Sequence, residues 1–526
     1  MKIVAMQIVA MKIAAMQIAA MQSLLFATVL AGTSLLAQPP IKHIQRPVPR
    51  PIADPTILAA ADVDTVVQAA AASVNSEAMV IAVTDRQGHI LAIYQKPAAP
   101  ATASANFGVQ ADTKEVAVAL ARTAGFFSND QAPLSSRTVR YISGIHFPPG
   151  IAYTPNAALY GIENTNRGCG FNTNFIPGQE VPPARSIDGT QPGLGILTGK
   201  AGLNDSDPNA VNPGGVPLYK QGVMVGGVGV AGVSPDVAEF AAFSGAVGAG
   251  FGANPAPPGV VVIDGIAVPF VNQTTLPAGY SAGTADGTYV LGPLGSPKPP
   301  PEGYLVAAQA GPLGGLSQSD VQQIISNAIA EANQTRALIR LPLGSRARMV
   351  FAVADLDGAL LALYRMPDAT FFSIDVAVAK SRNVIFFSGP NRTAADLPGV
   401  PLGTAVTNRT IGFGAQPLYP PGVDGSTPGP FFNLYQFDTL HPCTQGSQAP
   451  NPNQNGVVFF PGALPLYKNG VLAGGLGVSG DGVDQDDFVT AAGAAGFDAP
   501  ANIHADQIID EGVRLPYLKF PRNPTD

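Results

Sequence analysis

The sequence predicts an α+β protein of two like domains, each a central antiparallel sheet with helices packed on its faces. Three observations lead there. The chain carries a long internal repeat. Each copy reads helix, hairpin, helix, hairpin, helix. That order needs no parallel crossover between strands.

The repeat is the strongest of the three. AMVIAVTDRQGHILAIYQKP at 78–97 recurs as ARMVFAVADLDGALLALYRMP at 347–367, and VAVALARTAGFFS at 116–128 as VAVAKSRNVIFFS at 376–388. TNRGCGF at 165–171 pairs with TNRTIGF at 407–413, and PGGVPLYKQGVMVGGVGVAG at 213–232 with PGALPLYKNGVLAGGLGVSG at 461–480. The tails correspond too: Ile263-Asp264 and Val268-Pro269-Phe270 with Ile509-Asp510 and Leu515-Pro516-Tyr517. Residues 56–291 and 316–526 are therefore read as two domains, each with an insertion before its second hairpin. A Pro/Gly-rich linker over 292–315, containing SPKPPPEG, joins them.

The elements follow in order. Opening helices are expected over Asp62–Val74 and Ser319–Ala332, the second with a capping pair at Ser317 and Asp320. First hairpins flank Asp85-Arg86-Gln87-Gly88 and Asp355-Leu356-Asp357-Gly358, where Asp and Gly supply the turn. Middle helices run through Thr113–Phe127 and Ile374–Phe387. Second hairpins pair Pro217–Lys220 with Val223–Val230 and Pro465–Lys468 with Val471–Val478, the latter turning on Asn469-Gly470. Final helices start near Pro235 and Asp484.

At the N-terminus, MKIVAMQIVAMKIAAMQIAAMQ repeats a five-residue motif and leads into the apolar run Ser23–Ala37. Residues 1–37 read as a signal peptide cleaved after Ala37, which implies a secreted or periplasmic protein without stable membrane insertion. A membrane anchor is the rival reading. Residues 38–55 carry too many prolines for a helix or inner strand and form an extended lead-in. Charged residues are 12% of the chain and the net charge is −7, with no basic stripe, which argues against nucleic acid as a partner.

The glycine hairpin PGGVPLYKQGVMVGGVGVAG, the helix after it bearing Asp236 and Glu239, and the matching LYKNGVLAGGLGVSG with Asp484, Asp486 and Asp487 resemble the GlcG/HbpS-like family. VTDRQGHILAIYQ, VADLDGALLALYRM and VAVAKSRNVIFFS resemble its first hairpin and middle helix. The resemblance covers both repeats. It implies a profilin-like fold and haem, or a similar tetrapyrrole, as ligand, with haem degradation ascribed to some members. The family's middle helix usually carries a lysine; this chain has Lys380 in one copy and Leu120 in the other.

Candidate site residues keep competing readings. His146, in ISGIHFPPGI, is the first choice of iron ligand, because an axial imidazole needs an apolar setting; an ordinary hydrogen-bonded histidine is the alternative. Arg122 and Arg382, at like places in the two copies, are offered either to haem propionates or to salt bridges. Cys169 and Cys443, the two cysteines, form a disulfide, stay free, or ligate haem. The GxGxxG runs at Gly227–Gly232 and Gly475–Gly480 lack the parallel βαβ setting of a nucleotide site. They mark either close backbone packing or bare backbone open to a flat ligand. Asp484, Asp486 and Asp487 suggest calcium or, better, stabilisation of a helix N-terminus. The five histidines form no zinc pair, and no nucleophile–base signature or phosphate loop is present. Three functions remain: an exported haem-binding or haem-handling protein, a non-catalytic structural or interaction module of the cell envelope, and, third, an enzyme acting on haem or another small organic ligand; a homo-oligomer is among the partners considered for the chain.

Overall fold

The computed structural model describes residues 54–171, 185–199, 212–253, 261–263 and 266–525. The signal-peptide reading of 1–37 and nearly all of the lead-in lie outside them.

The first half builds α1 (Ala60–Ala72), the hairpin β1 (Val80–Asp85) and β2 (Ile90–Gln95), α2 (Thr113–Phe127) and a short α3 (Ser136–Tyr141). It continues with the hairpin β3 (Gly215–Lys220) and β4 (Val223–Ala231), α4 (Pro235–Phe243) and β5 (Thr288–Leu291). The second half builds β6 (Gly303–Val306), α5 (Gln318–Ala332), β7 (Val350–Ala354), β8 (Leu360–Arg365) and α6 (Phe372–Ser388). After it come α7 (Asn408–Gly414), α8 (Phe432–Leu440), β9 (Ala463–Lys468), β10 (Val471–Ser479) and α9 (Val483–Gly493).

Each half forms a five-stranded antiparallel sheet, ordered β3-β4-β1-β2-β5 and β9-β10-β7-β8-β6. The registers correspond: Val80 faces Gln95 and Ala231, and Val350 faces Arg365 and Ser479. Helices pack on both faces, which makes the fold α+β as expected. α2 covers one face of the first sheet through Val116, Ala117 and Leu120 against Val80, Ala82 and Ile93, while Val63, Val66 and Val67 of α1 join Ile81 and Val83 in the core on the other side.

The edge strands were not foreseen. β6 lies inside the 292–315 segment read as a linker, and the rest of that segment is pinned as well: Leu313 N and Gly314 N donate to the Asp355 carboxylate. TYVL and GYLV are four residues each and half exposed, too short for a period-2 pattern to declare itself.

The tight turn of the second-half hairpin has Asn469 at φ 54° and Gly470 at φ 78°, the left-handed pair that a type I′ turn requires. The glycine runs serve packing. A Cβ on Gly227 or Gly229 would land on the Ala121 or Ala117 carbonyl oxygen of α2, and one on Gly475 or Gly477 on the Ser381 or Ala377 carbonyl of α6. A helix already covers this backbone, so the idea of bare strand open to a flat ligand is withdrawn. Gly477→Ala is expected to lower the unfolding free energy by about 1–3 kcal/mol, the usual cost of overpacking. A urea midpoint indistinguishable from wild type would refute the close-approach account.

One block of the repeat is corrected by the structure. The counterpart of Thr407-Asn408-Arg409-Thr410 is Ser135-Ser136-Arg137-Thr138, not Thr165-Asn166-Arg167. Both segments cap a short helix with a reciprocal hydroxyl box. Thr138 Oγ1 donates to Pro269 O and Ser135 Oγ to Phe270 O; Thr410 Oγ1 donates to Pro516 O and Thr407 Oγ1 to Tyr517 O. The arginine inside each box then meets an acid of the last helix: Arg137 with Glu239, Arg409 with Asp487.

Candidate functional site

A cleft of about 990 Å³ opens between the two halves. One wall comes from the end of α2 and the first-half insertion, with Phe127, Phe147 and Tyr160. The other comes from the second half, with Phe372, Phe413, Phe459 and Phe460. Phe127 and Phe372 stack at 4.2 Å, one ring from each half. The C-terminal segment adds Lys519, Phe520 and Arg522, and Arg336 lies near it.

The polar floor is supplied by α9. The capping box of α7 aims Arg409 at its N-terminus, where Nη2 meets Asp484 at 2.6 Å and Nε meets Asp487. Lys519 Nζ reaches the other Asp484 oxygen at 2.8 Å. From α6, Lys380 passes Gly462, where a Cβ would lie 2.7 Å from its Nζ, and donates to Val478 O at 2.8 Å and Asp486 Oδ2 at 3.0 Å. The Lys380 side chain is wholly buried, with its ammonium over the Phe460 ring. Burial pushes the Asp486 carboxyl up to about 7 although Lys380 opposes it, and burial likewise lowers the Lys380 ammonium. Asp486 Oδ1 and Gln416 Oε1, both buried cleft residues, have no hydrogen-bond partner among the described residues.

Sequence reasoning did not find this pair, reading Asp486 as a calcium candidate or, better, a helix-dipole residue. The available signal was a difference between the copies. Lys380 corresponds to Leu120 and Asp486 to Ala238, so the first half lacks both partners together.

The sequence-selected residues lie elsewhere. His146 Nδ1 donates to Thr154 O at 2.7 Å, and its Nε2 lies 2.9 Å from Asp424 Oδ1. Both ring nitrogens face protein partners, so the choice of His146 as iron ligand gives way to its alternative, a hydrogen-bonded histidine. It ties the loop of one insertion to that of the other, beside Phe147 of the cleft wall. Arg122 and Arg382 are buried and hold hairpin turns: Nε donates to Gly88 O at 3.0 Å and to Gly358 O at 2.9 Å. Arg382 also donates to Gly170 O and Phe171 O in the other half. Neither arginine lines the cleft, and the proposal that they meet propionates is withdrawn for the same reason: turn and loop carbonyls occupy their donors. Cys169 and Cys443 are joined in a disulfide with Cα atoms 5.4 Å apart, tying the two insertions together. The calcium reading also falls. Asp484 and Asp487 are held by Arg409, and Asp486 by Lys380. Among the described residues, no group of three or more His, Cys, Asp or Glu gathers to hold a metal, and no helix is long and apolar enough to cross a membrane.

Three buried carboxyls, Asp375, Asp486 and Asp438, are pushed up by burial, to about 6, 7 and 8. In the unfolded chain they ionise near 4. The folded state therefore binds more protons between these values, and stability falls as pH rises through that window. Thermal melts are expected to show a lower midpoint at pH 8.5 than at pH 5.5. A midpoint that rises steadily across that range would contradict the assignment.

With this geometry in view, the likeness to known proteins can be placed. Residues 316–495 match the family of the haem degrading protein HbpS-like. The matched span holds α5 to α9 and strands β7 to β10 but not the edge strand β6, and it contains Lys380, Arg409 and Asp486. Among curated proteins, none matches the chain. Three crystal structures resemble parts of it. A PduOC:heme complex is 22% identical, covering 36% of this chain and 98% of its own, with a TM-score of 0.24. Klebsiella pneumoniae protein ORFY, of family DUF336, is 19% identical, covering 34% and 88%, with a TM-score of 0.23. A double mutant of Streptomyces reticuli HbpS is 21% identical, covering 37% and 97%, with a TM-score of 0.20.

Proposed function

We propose that the chain is an exported haem-binding protein, made of two tandem GlcG/HbpS-like domains, that holds one haem or similar tetrapyrrole in the cleft between them. The observation that carries this reading is the cleft itself: an aromatic slot with an excess of cations, half of it built by the HbpS-like segment. Its volume suits a ligand of this size. Phe127, Phe372, Phe459 and Phe460 give the cleft apolar aromatic walls suited to a macrocycle. Arg336 and Arg522 make no ion pair among the described residues and are placed to meet propionates. Haem, when bound, supplies a redox-active iron. The chain's own residues bind and orient the ring and keep water from its apolar face. Two tandem domains are supported by the shared strand order, the matching registers and the paired arginine–acid contacts.

Haemin titrated into purified protein is expected to give a Soret shift saturating at one haem per chain. The Arg336→Ala/Arg522→Ala variant should bind about tenfold more weakly, the loss of a charge-assisted bond or two. His146→Ala should leave haemin affinity unchanged while costing about 1 kcal/mol of stability through its lost hydrogen bonds. Absence of any Soret change in wild type would overturn the haem reading and leave the interaction-module reading in its place. N-terminal sequencing of protein recovered outside the cytoplasm tests export, with a first residue at Gln38 expected.

A further inference from the structure

If haem binds in the cleft, its iron has few donors to choose from. The described lining residues include no histidine, cysteine or methionine. Tyr160 is buried, shares a hydrogen bond with Tyr435, and is held in its neutral phenol form by burial. Both Asp484 oxygens are engaged, one by Arg409 and one by Lys519. Asn156 and Gln416 offer only neutral amide oxygens. Asp486 is different. It is 2% exposed, one oxygen is bound by Lys380, and the other has no hydrogen-bond partner among the described residues. Ferric iron is a hard cation that accepts an anionic oxygen readily.

The first half provides a natural control. It folds into the same sheet order and register with Leu120 and Ala238 in place of Lys380 and Asp486. An apolar pair commonly replaces a buried ion pair at little or no cost in stability. The fold therefore does not require the charged pair, and the half that keeps it is the half whose last helix lines the cleft.

We propose that Asp486 is the oxygen ligand this chain offers to the iron of a bound haem, with Lys380 holding the opposite carboxylate oxygen. The proposal rests on the haem-binding reading above. It is tested on the full chain with two probes, haemin and iron-free protoporphyrin IX, followed by absorbance and by electron paramagnetic resonance of the ferric complex. Wild type is expected to bind haemin at least tenfold more tightly than protoporphyrin and to give a high-spin ferric signal typical of oxygen ligation. Asp486→Asn keeps the shape of the side chain, and Lys380→Leu/Asp486→Ala reproduces the pair of the first half. Both variants should bring haemin down to the affinity of protoporphyrin and change the resonance signal. Protoporphyrin binding and circular dichroism should stay as in wild type. If wild type binds both porphyrins equally, or if Asp486→Asn keeps haemin affinity and signal, the ligand assignment fails while the cleft reading stands. If wild type binds neither porphyrin, both fall.

Discussion

Replacing Arg340 with methionine is expected to lower the unfolding free energy by about 3–5 kcal/mol, the range for stripping one partner from a buried ion network. Arg340 is fully buried and joins both halves. Its Nε donates to Asp481, which is also fully buried, and its Nη1 to Asp368 Oδ2 at 2.6 Å. Nη2 reaches Asp368 O at 2.8 Å, and Nη1 also contacts Gln131 Oε1 of the first half. Asp368 is shared with Arg86 of the first half at 2.6 Å and accepts from Asp130 N. Burial alone would raise the Asp368 carboxyl, but Arg86 and Arg340 hold it below the usual range. Without Arg340, Asp481 keeps among the described residues only the Arg348 N–H as a donor. Its charge is then buried with no cation, so the penalty should shrink at pH 5, where the folded-state carboxyl, raised by burial, can take up a proton instead of staying charged. Urea denaturation at pH 5 and pH 8 checks both points. A loss under about 1 kcal/mol at pH 8 would show that the network contributes as little as an exposed pair.

Removing the Cys169–Cys443 disulfide as Cys169→Ser/Cys443→Ser should cost about 2–5 kcal/mol. The bond closes a separation of 274 residues, so its constraint on the unfolded chain is large. Its folded-state setting is well determined by neighbouring links between the insertions, including Asn164 Nδ2 to Asp438 Oδ2 at 3.0 Å and the Tyr160–Tyr435 ring contact. Denaturation of wild type with and without reductant should show the same loss, and the serine variant should be insensitive to reductant. Two free thiols by mass spectrometry of oxidised protein, or equal midpoints, would exclude a stabilising disulfide.

Much of the fold was legible because its signals are local. The hairpins around Asp85–Gly88 and Asn469-Gly470 announce themselves by turn residues between apolar runs, and α2 occupies the residues its pattern marked, Thr113–Phe127. Where the signal was weak, the reading went astray. TNRGCGF matches TNRTIGF by letters, yet SSRT occupies the equivalent place, because a hydroxyl cap and an arginine define the position and Ser does what Thr does. His146 drew notice for its apolar neighbours in sequence, while Asp424, which faces it, comes from the other half.

The amino-acid sequence by itself determined the α+β class and the repeated order of elements. Each depends on residues within a turn, a strand or a helix of one another. Only the tertiary structure decided which half carries the cleft floor, and that Arg122, Arg382 and His146 serve the scaffold. A buried charge takes its role from whatever partner desolvation forces on it. For Asp486 that partner is Lys380, more than a hundred residues away, and the other carboxylate oxygen has no hydrogen-bond partner among the described residues.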